Sequence, residues 1–219
     1  VTKRYIAIVI LYVLCVFSPV VPGFPKGSGY GVFMTAIFFI TLLIVSLLLL
    51  PERHMRSNIP LSPEKSFLWA IGGIFALFLL QIAASLINTA VFGEPPKSRH
   101  TEQIVQITRM SPLFIFAVSV IGPILEEIVF RKIIYGSLQK KMGFVLAAVI
   151  SSLIFSVGHF DFQHLLVYFV IGFFLCYVYH KTGRITINMF MHAGMNAIVV
   201  AVSLHASNPP VQSFIGWLL

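Results

Sequence analysis

Two adjacent carboxylates and a guanidinium, Glu126, Glu127 and Arg131, interrupt an apolar run that begins near Pro112 and continues past Ile134. At membrane depth such groups cost several kcal/mol each, so an ionisable residue there marks a functional site by default. On a helix Glu127 and Arg131 stand at i,i+4, in the favourable acid-before-base order. That spacing predicts that Arg131 holds Glu127 ionised. Glu126 is turned about 100° away from its neighbour. A poorly solvated carboxylate without a fixed cation suits a general base. The structural alternative is a charge knot between helices, which explains a Glu-Arg pair more easily than a doubled glutamate.

Two further polar clusters follow in later apolar runs. Phe155-Ser156-Val157-Gly158-His159 closes one, and His192-Ala193-Gly194-Met195-Asn196 lies inside another. With a hairpin turn placed at Met142, Glu126 stands 16 residues before it and His159 stands 17 after. At about 1.5 Å per residue, both lie about 24 to 26 Å from the turn on antiparallel neighbours. They can therefore face each other at one depth. His192 and Asn196 project from one helix face, and both can donate hydrogen bonds to a developing oxyanion. Ala193 and Gly194 let a neighbouring helix come close, which also allows a role as polar glue between helices.

Three chemistries could use this set. One is activation of water by glutamate and histidine for amide hydrolysis. The second is a zinc site built from His159, His192 and a glutamate, the weaker reading because no His-Glu-x-x-His is present. The third is a proton relay in a transporter. A nucleophilic serine is disfavoured, since Ser151, Ser152 and Ser156 lack a Gly-x-Ser-x-Gly turn. Cys15 and Cys176 stand singly in apolar segments and read as packing. Asp161, His164 and His180 fall at turns and read as interfacial residues.

The elements that must position these residues are membrane helices. Of 219 residues, 58% are hydrophobic and 10% charged, against about 25% charged in a soluble domain. The formal net charge of +8 would point to nucleic acid in a soluble protein. Here the basic residues lie between apolar runs and act as topology determinants, so no nucleic-acid partner is expected. The runs are Tyr5 to Val21, Val32 to Leu50, Ser66 to Phe92, Pro112 to about Lys140, Phe144 to His159, His164 to Tyr179, and Ile185 to about Leu204. The first is read as a helix and not a signal peptide. The polar stretch Lys97 to Arg109 is either an interfacial helix or a loop. Pro209-Pro210 opens an apolar tail, Val211 to Leu219, too short for the about 20 residues a span needs; it reads as a partial eighth helix or a cap.

Loop charges set the orientation. With a cytoplasmic N-terminus, one side receives Lys3, Arg4, Arg53, Arg56, Lys65, Arg131, Lys132, Lys140, Lys141, Lys181 and Arg184. The other receives Lys26, Lys97, Arg99 and Arg109. The expectation is an all-α, multi-pass cell-membrane protein of 7-8 transmembrane helices, N-terminus inside. Its polar cavity lies between the fourth, fifth and seventh helices. Residues 1–110 form N-terminal helices, 111–204 the helical core that carries the polar clusters, and 205–219 the tail.

The ordered motifs Glu126-Glu127-x-x-Phe130-Arg131, Phe155-x-x-x-His159 and His192-x-x-x-Asn196 resemble those of the CPBP intramembrane proteases. That group comprises type II CAAX prenyl endopeptidases and bacterial bacteriocin-processing or abortive-infection proteins. Phe169-x-x-Gly172 and Thr182-Gly183 also fit, and the resemblance covers roughly Ser111 to Val202. It implies a membrane-embedded, glutamic-type endopeptidase acting on a peptide or protein in or at the bilayer; no metal is expected, with zinc the weaker alternative. By position, Glu126 and His159 would activate water, His192 and Asn196 would stabilise the oxyanion, and Glu127 and Arg131 would support the site. The competing reading is a non-catalytic scaffold or transport component that uses the same charges for packing.

Overall fold

In lipid every backbone N–H and C=O must be paired within its own segment, so apolar runs of this length fold as helices. The computed structural model describes residues 2–52, 60–93 and 98–205, and among them every regular element is helical. Among the described residues six helices are long and apolar enough to cross a membrane. Three come first: α1 (Thr2–Phe17), α2 (Ser28–Leu49) and α3 (Pro63–Phe92). Ser62 caps α3 by accepting a hydrogen bond from the Lys65 N–H at 3.2 Å, with Pro63 in the first turn where no N–H is needed. The polar stretch left open by sequence is a helix, α4 (Arg99–Met110). Its apolar side meets α2, where a Cβ at Gly31 would overlap Ser111 and crowd Ile107.

The fourth candidate span, Phe114–Gly158, is 45 residues long, far more than one crossing needs. It is folded at Gly143, whose φ of 77° and ψ of −178° lie where only glycine is comfortable. The fold gives two antiparallel legs, α5 (residues 114–142) and α6 (residues 144–158). Counted by legs, seven apolar helices result. α7 (Leu165–Thr182) ends at Gly183 in the left-handed conformation, and α8 (Ile185–His205) completes the described bundle. The tail from Pro209 lies outside the described residues.

The register of the α5–α6 hairpin is fixed by its contacts. The Ser151 hydroxyl donates to the Phe130 carbonyl at 2.8 Å, and the Phe130 and Phe155 rings meet edge to face at 5.2 Å. The same hairpin brings residues 126 and 159 to the lining of one cavity. α7 then lies close against α6, because Gly172 has no side chain: a Cβ there would sit 3.1 Å from Phe155 and 3.2 Å from Ser152. Around this hairpin Leu125, Ile128, Val129 and Phe155 form a core with Ile8 of α1 and Val45 of α2. Outward positions such as Leu14, Leu68 and Leu79 are more than 60% exposed, as expected where lipid is the neighbour.

Two charges assigned to loops by sequence belong to a helix. Arg131 and Lys132 lie within α5, and Lys132 pairs with Glu52 at 3.0 Å. Glu52 also accepts from the Tyr5 hydroxyl at 3.0 Å, so one buried carboxylate ties α1, the end of α2 and α5 together. The basic excess on that side persists without the two.

A Cβ at Gly143 meets nothing within 4 Å, so Gly143→Ala isolates backbone strain from packing. Its expected cost is about 1 to 3 kcal/mol. Thermal unfolding in detergent checks this, with Gly72→Ala, at a helical position equally open, staying near wild type.

Candidate active site

The site begins with irregular winding in α5. Ala117–Ile121 and Glu127–Tyr135 are π-helical, with α-helical Gly122–Glu126 between them. π segments of this kind occur frequently at functional sites. Pro123 explains part of it. In the first π segment the Gly122 N–H reaches back to the Ala117 carbonyl. The Val118 carbonyl would look to residue 123, which is a proline and has no N–H. The Asn196 side-chain amide of α8 approaches that carbonyl instead, at 3.4 Å. A sequence-encoded gap in α5 thus gives Asn196 its position.

Glu127 is fully buried and has three partners. Arg131 Nη1 lies 3.1 Å from Oε1, His192 Nδ1 lies 2.8 Å from the same oxygen, and Asn188 Nδ2 donates to Oε2 at 3.2 Å. Asn188 donates also to the Leu175 carbonyl of α7 at 2.7 Å. The Arg131 guanidinium lies over the Phe155 ring, 4.2 Å from its centroid. That stacking offsets some of the cost of burying the cation, because Nε and Nη2 meet no acceptor. Phe155 touches His159 and His192 as well, with ring centroids 4.6 and 6.0 Å away.

Glu126 differs from its neighbour. Its side chain keeps 20% exposure against none for Glu127. Its closest ionisable contact is His192 Nε2 at 3.7 Å, beyond hydrogen-bond range. Spacing alone paired Glu126 with His159. The structure puts both in one cavity wall, and adds His192 between the two glutamates, Nδ1 toward Glu127 and Nε2 toward Glu126.

The ring protons follow from the partners. A carbonyl accepts only, so His159 Nδ1, 2.8 Å from the Phe155 carbonyl, carries hydrogen and Nε2 is the basic atom of the neutral ring. Tyr168 of α7 stacks on His159 at 4.1 Å and fixes its plane. His192 Nδ1 faces a carboxylate and likewise donates.

Glu126, His159 and Asn196 line a cavity of about 220 Å³. An adjoining space of about 90 Å³ shares His159 and Asn196 and adds His192. The expected cavity lay between the fourth, fifth and seventh spans. The observed one is walled also by Tyr12 of α1, Met34 and Phe38 of α2, and Gln103 and Ile107 of α4. Asn188 and Tyr168 were missed by sequence reading. Asn188 was findable, since Asn188, His192 and Asn196 repeat at i,i+4 on one face. Tyr168 gave no signal, because an aromatic residue in an apolar run is ordinary. Among the described residues no three His, Cys, Asp or Glu side chains gather to hold a metal ion.

The residues read as interfacial lie elsewhere, and they are not simple surface groups. Asp161 and His164 pair at 2.9 Å, both nearly buried, and Ser98 before α4 donates to Asp161 at 2.6 Å. His180 bonds Gln139 at 2.8 Å beside the Gly143 fold.

Residues 108–198, which hold all of these catalytic candidates, match the family described as type II CAAX prenyl endopeptidase Rce1-like. The chain is 36% identical to YdiL of Bacillus subtilis (strain 168), a protein named as a candidate membrane peptidase, over 97% of this chain and 93% of that one. The chain belongs to the Rce1-like CAAX protease family. A second relative is the membrane-embedded CAAX protease MroQ of Staphylococcus aureus (strain USA300), 32% identical over 90% of this chain and 87% of that protein. No solved structure matches. The protein is therefore a multi-pass membrane protease, all-helical among the described residues.

Removing one partner from a buried ion pair costs about 3 to 5 kcal/mol. Arg131→Met is expected to destabilise by that amount, and adding Glu127→Gln should restore part of the loss. Unfolding in detergent across the double-mutant cycle measures the coupling.

Proposed function

We propose that the protein is an intramembrane glutamic-type endopeptidase, cleaving a peptide bond at or near the bilayer in CAAX-type processing or peptide maturation. The observation that carries this reading is the meeting of Glu126, His159 and Asn196 in one cavity, with His192 in the adjoining space. A water held between the Glu126 carboxylate and His159 Nε2 loses a proton as its oxygen bonds to the scissile carbonyl carbon. The C=O electron pair moves onto oxygen. Asn196 N–H, and His192 Nε2–H when that ring is doubly protonated, donate to this oxyanion. The intermediate collapses with cleavage of the C–N bond, and the proton first taken from water passes to the leaving nitrogen.

The remaining residues hold the geometry. Glu127 accepts from His192 Nδ1 and keeps Nε2 toward the cavity. Arg131 and Asn188 fix Glu127 in turn, and Phe155 supports Arg131 and both imidazoles. The largely apolar walls from α1, α2 and α4 are suited to a hydrophobic stretch of peptide. The excess of basic residues between the spans supports a cytoplasmic N-terminus.

Purified protein incubated with a peptide library, with and without chelator, tests the reading. Wild type should cleave in both conditions. Glu126→Gln should abolish turnover while leaving the melting temperature near wild type. His159→Ala should cost about 10² to 10⁴-fold, and Asn196→Ala about 10² to 10³-fold. Full activity in Glu126→Gln, or loss of activity on chelation, would overturn it. Partner binding or ion flux that survives Glu126→Gln, without any cleavage by wild type, would favour the scaffold or transport role.

A further inference from the structure

A groove of about 290 Å³ opens on the outer face between α3 and α7 and shares no lining residue with the cavity that holds Glu126. Its lining is apolar apart from Lys65 and includes Leu68, Trp69, Ala76 and Phe174. Its depth comes from Gly72, where a Cβ would meet nothing within 4 Å. Leu68 beside it is 68% exposed, so the groove faces the surroundings of the bundle, which in a membrane are lipid chains.

One end of the groove is cationic. Lys65 stands one turn before Trp69 on α3. Trp69 packs on Tyr177 of α7 at 6.3 Å, and the Lys181 ammonium lies 5.7 Å over the Tyr177 ring. Arg184 joins them, donating to the Ser66 hydroxyl at 3.2 Å and to the Leu61 carbonyl at 2.7 Å. Those acceptors are neutral. Among the described residues no carboxylate pairs with Lys65, Lys181 or Arg184, and Glu64 beside Lys65 is not an exception. Three cations without a counter-ion, flanked by a Trp and a Tyr of the kind that sits at headgroup level, crown an apolar furrow.

The geometry points to a binding site for one anionic phospholipid, its phosphate among Lys65, Lys181 and Arg184 and one acyl chain along Gly72. Basic pockets between transmembrane helices take anionic headgroups through this combination of charge and apolar depth. A zwitterionic headgroup brings its own cation to the same rim and gains less.

Delipidated protein titrated with dioleoyl phosphatidylglycerol or dioleoyl phosphatidylcholine, read by native mass spectrometry, tests the site. Wild type should retain phosphatidylglycerol at least about fivefold over phosphatidylcholine, about the effect of one lysine near an anionic headgroup. Lys65→Gln with Lys181→Gln should bring that ratio close to one. Gly72→Leu, which fills the furrow, should lower retention of both lipids, and lipid-free melting temperatures establish that both variants are folded. Equal retention of the two lipids by wild type, or an unchanged ratio in the double variant, overturns the headgroup assignment. Unchanged retention in Gly72→Leu overturns the groove.

Discussion

A buried carboxylate must be compensated, and the arrangement of α5 to α8 follows from how Glu127 meets that demand. Left alone in a site without water it would cost several kcal/mol. Its partners come from two helices, Arg131 from α5 and Asn188 and His192 from α8. A third and fourth helix are drawn in by the partners' own needs. Arg131 lies against Phe155 of α6, and Asn188 reaches the Leu175 carbonyl of α7. The charge is thus the reason that four helices keep one relative placement. Glu126, a residue away and turned toward the cavity, is held accurately without being tied up by the same contacts.

Backbone irregularity serves the same end. A regular α-helix through 117–135 would use its carbonyls internally. Pro123 removes a donor and the π-helical winding shifts the pattern, so the Val118 carbonyl faces α8 and meets Asn196. The polar groups of α5 and α8 therefore satisfy one another in two places, at Glu127 and at Val118. Two contacts along one helix pair fix its rotation as well as its separation, which a single contact does not. Preorganised donors of this kind are what stabilises charge that develops during a reaction.

Much of this was legible in the sequence, for identifiable reasons. Helix count and type follow from apolar run length, since lipid permits few alternatives. The α5–α6 register followed from residue count about a Gly-containing turn, and the contacts of Ser151 with Phe130 and of Phe130 with Phe155 obey it. What stayed hidden depended on helix rotation and on distant packing. Spacing places Glu126 and His159 at one depth but does not reveal that His192 comes between the two glutamates. The wall contributed by Tyr12, Met34 and Gln103 had no mark in a run of hydrophobic residues. The pairing of Glu52 with Lys132 was hidden as well, because a charge at the end of an apolar run reads as a loop residue until its partner is known.

The division between knot and wall has a physical consequence for how such an enzyme changes its substrate. Residues that compensate Glu127 cannot be replaced singly, since each change leaves a buried charge or a buried donor unpaired. Residues such as Val16, Met34 and Ile107 line the same cavity through apolar contact alone. Exchanging one apolar side chain for another of different volume costs about 1 to 3 kcal/mol or less and uncovers no charge. They also lie on α1, α2 and α4, whereas the charged contacts lie on α5 and α8 and engage α6 and α7. The apolar wall from α1, α2 and α4 can therefore change in volume and contour without uncovering the charge of Glu127.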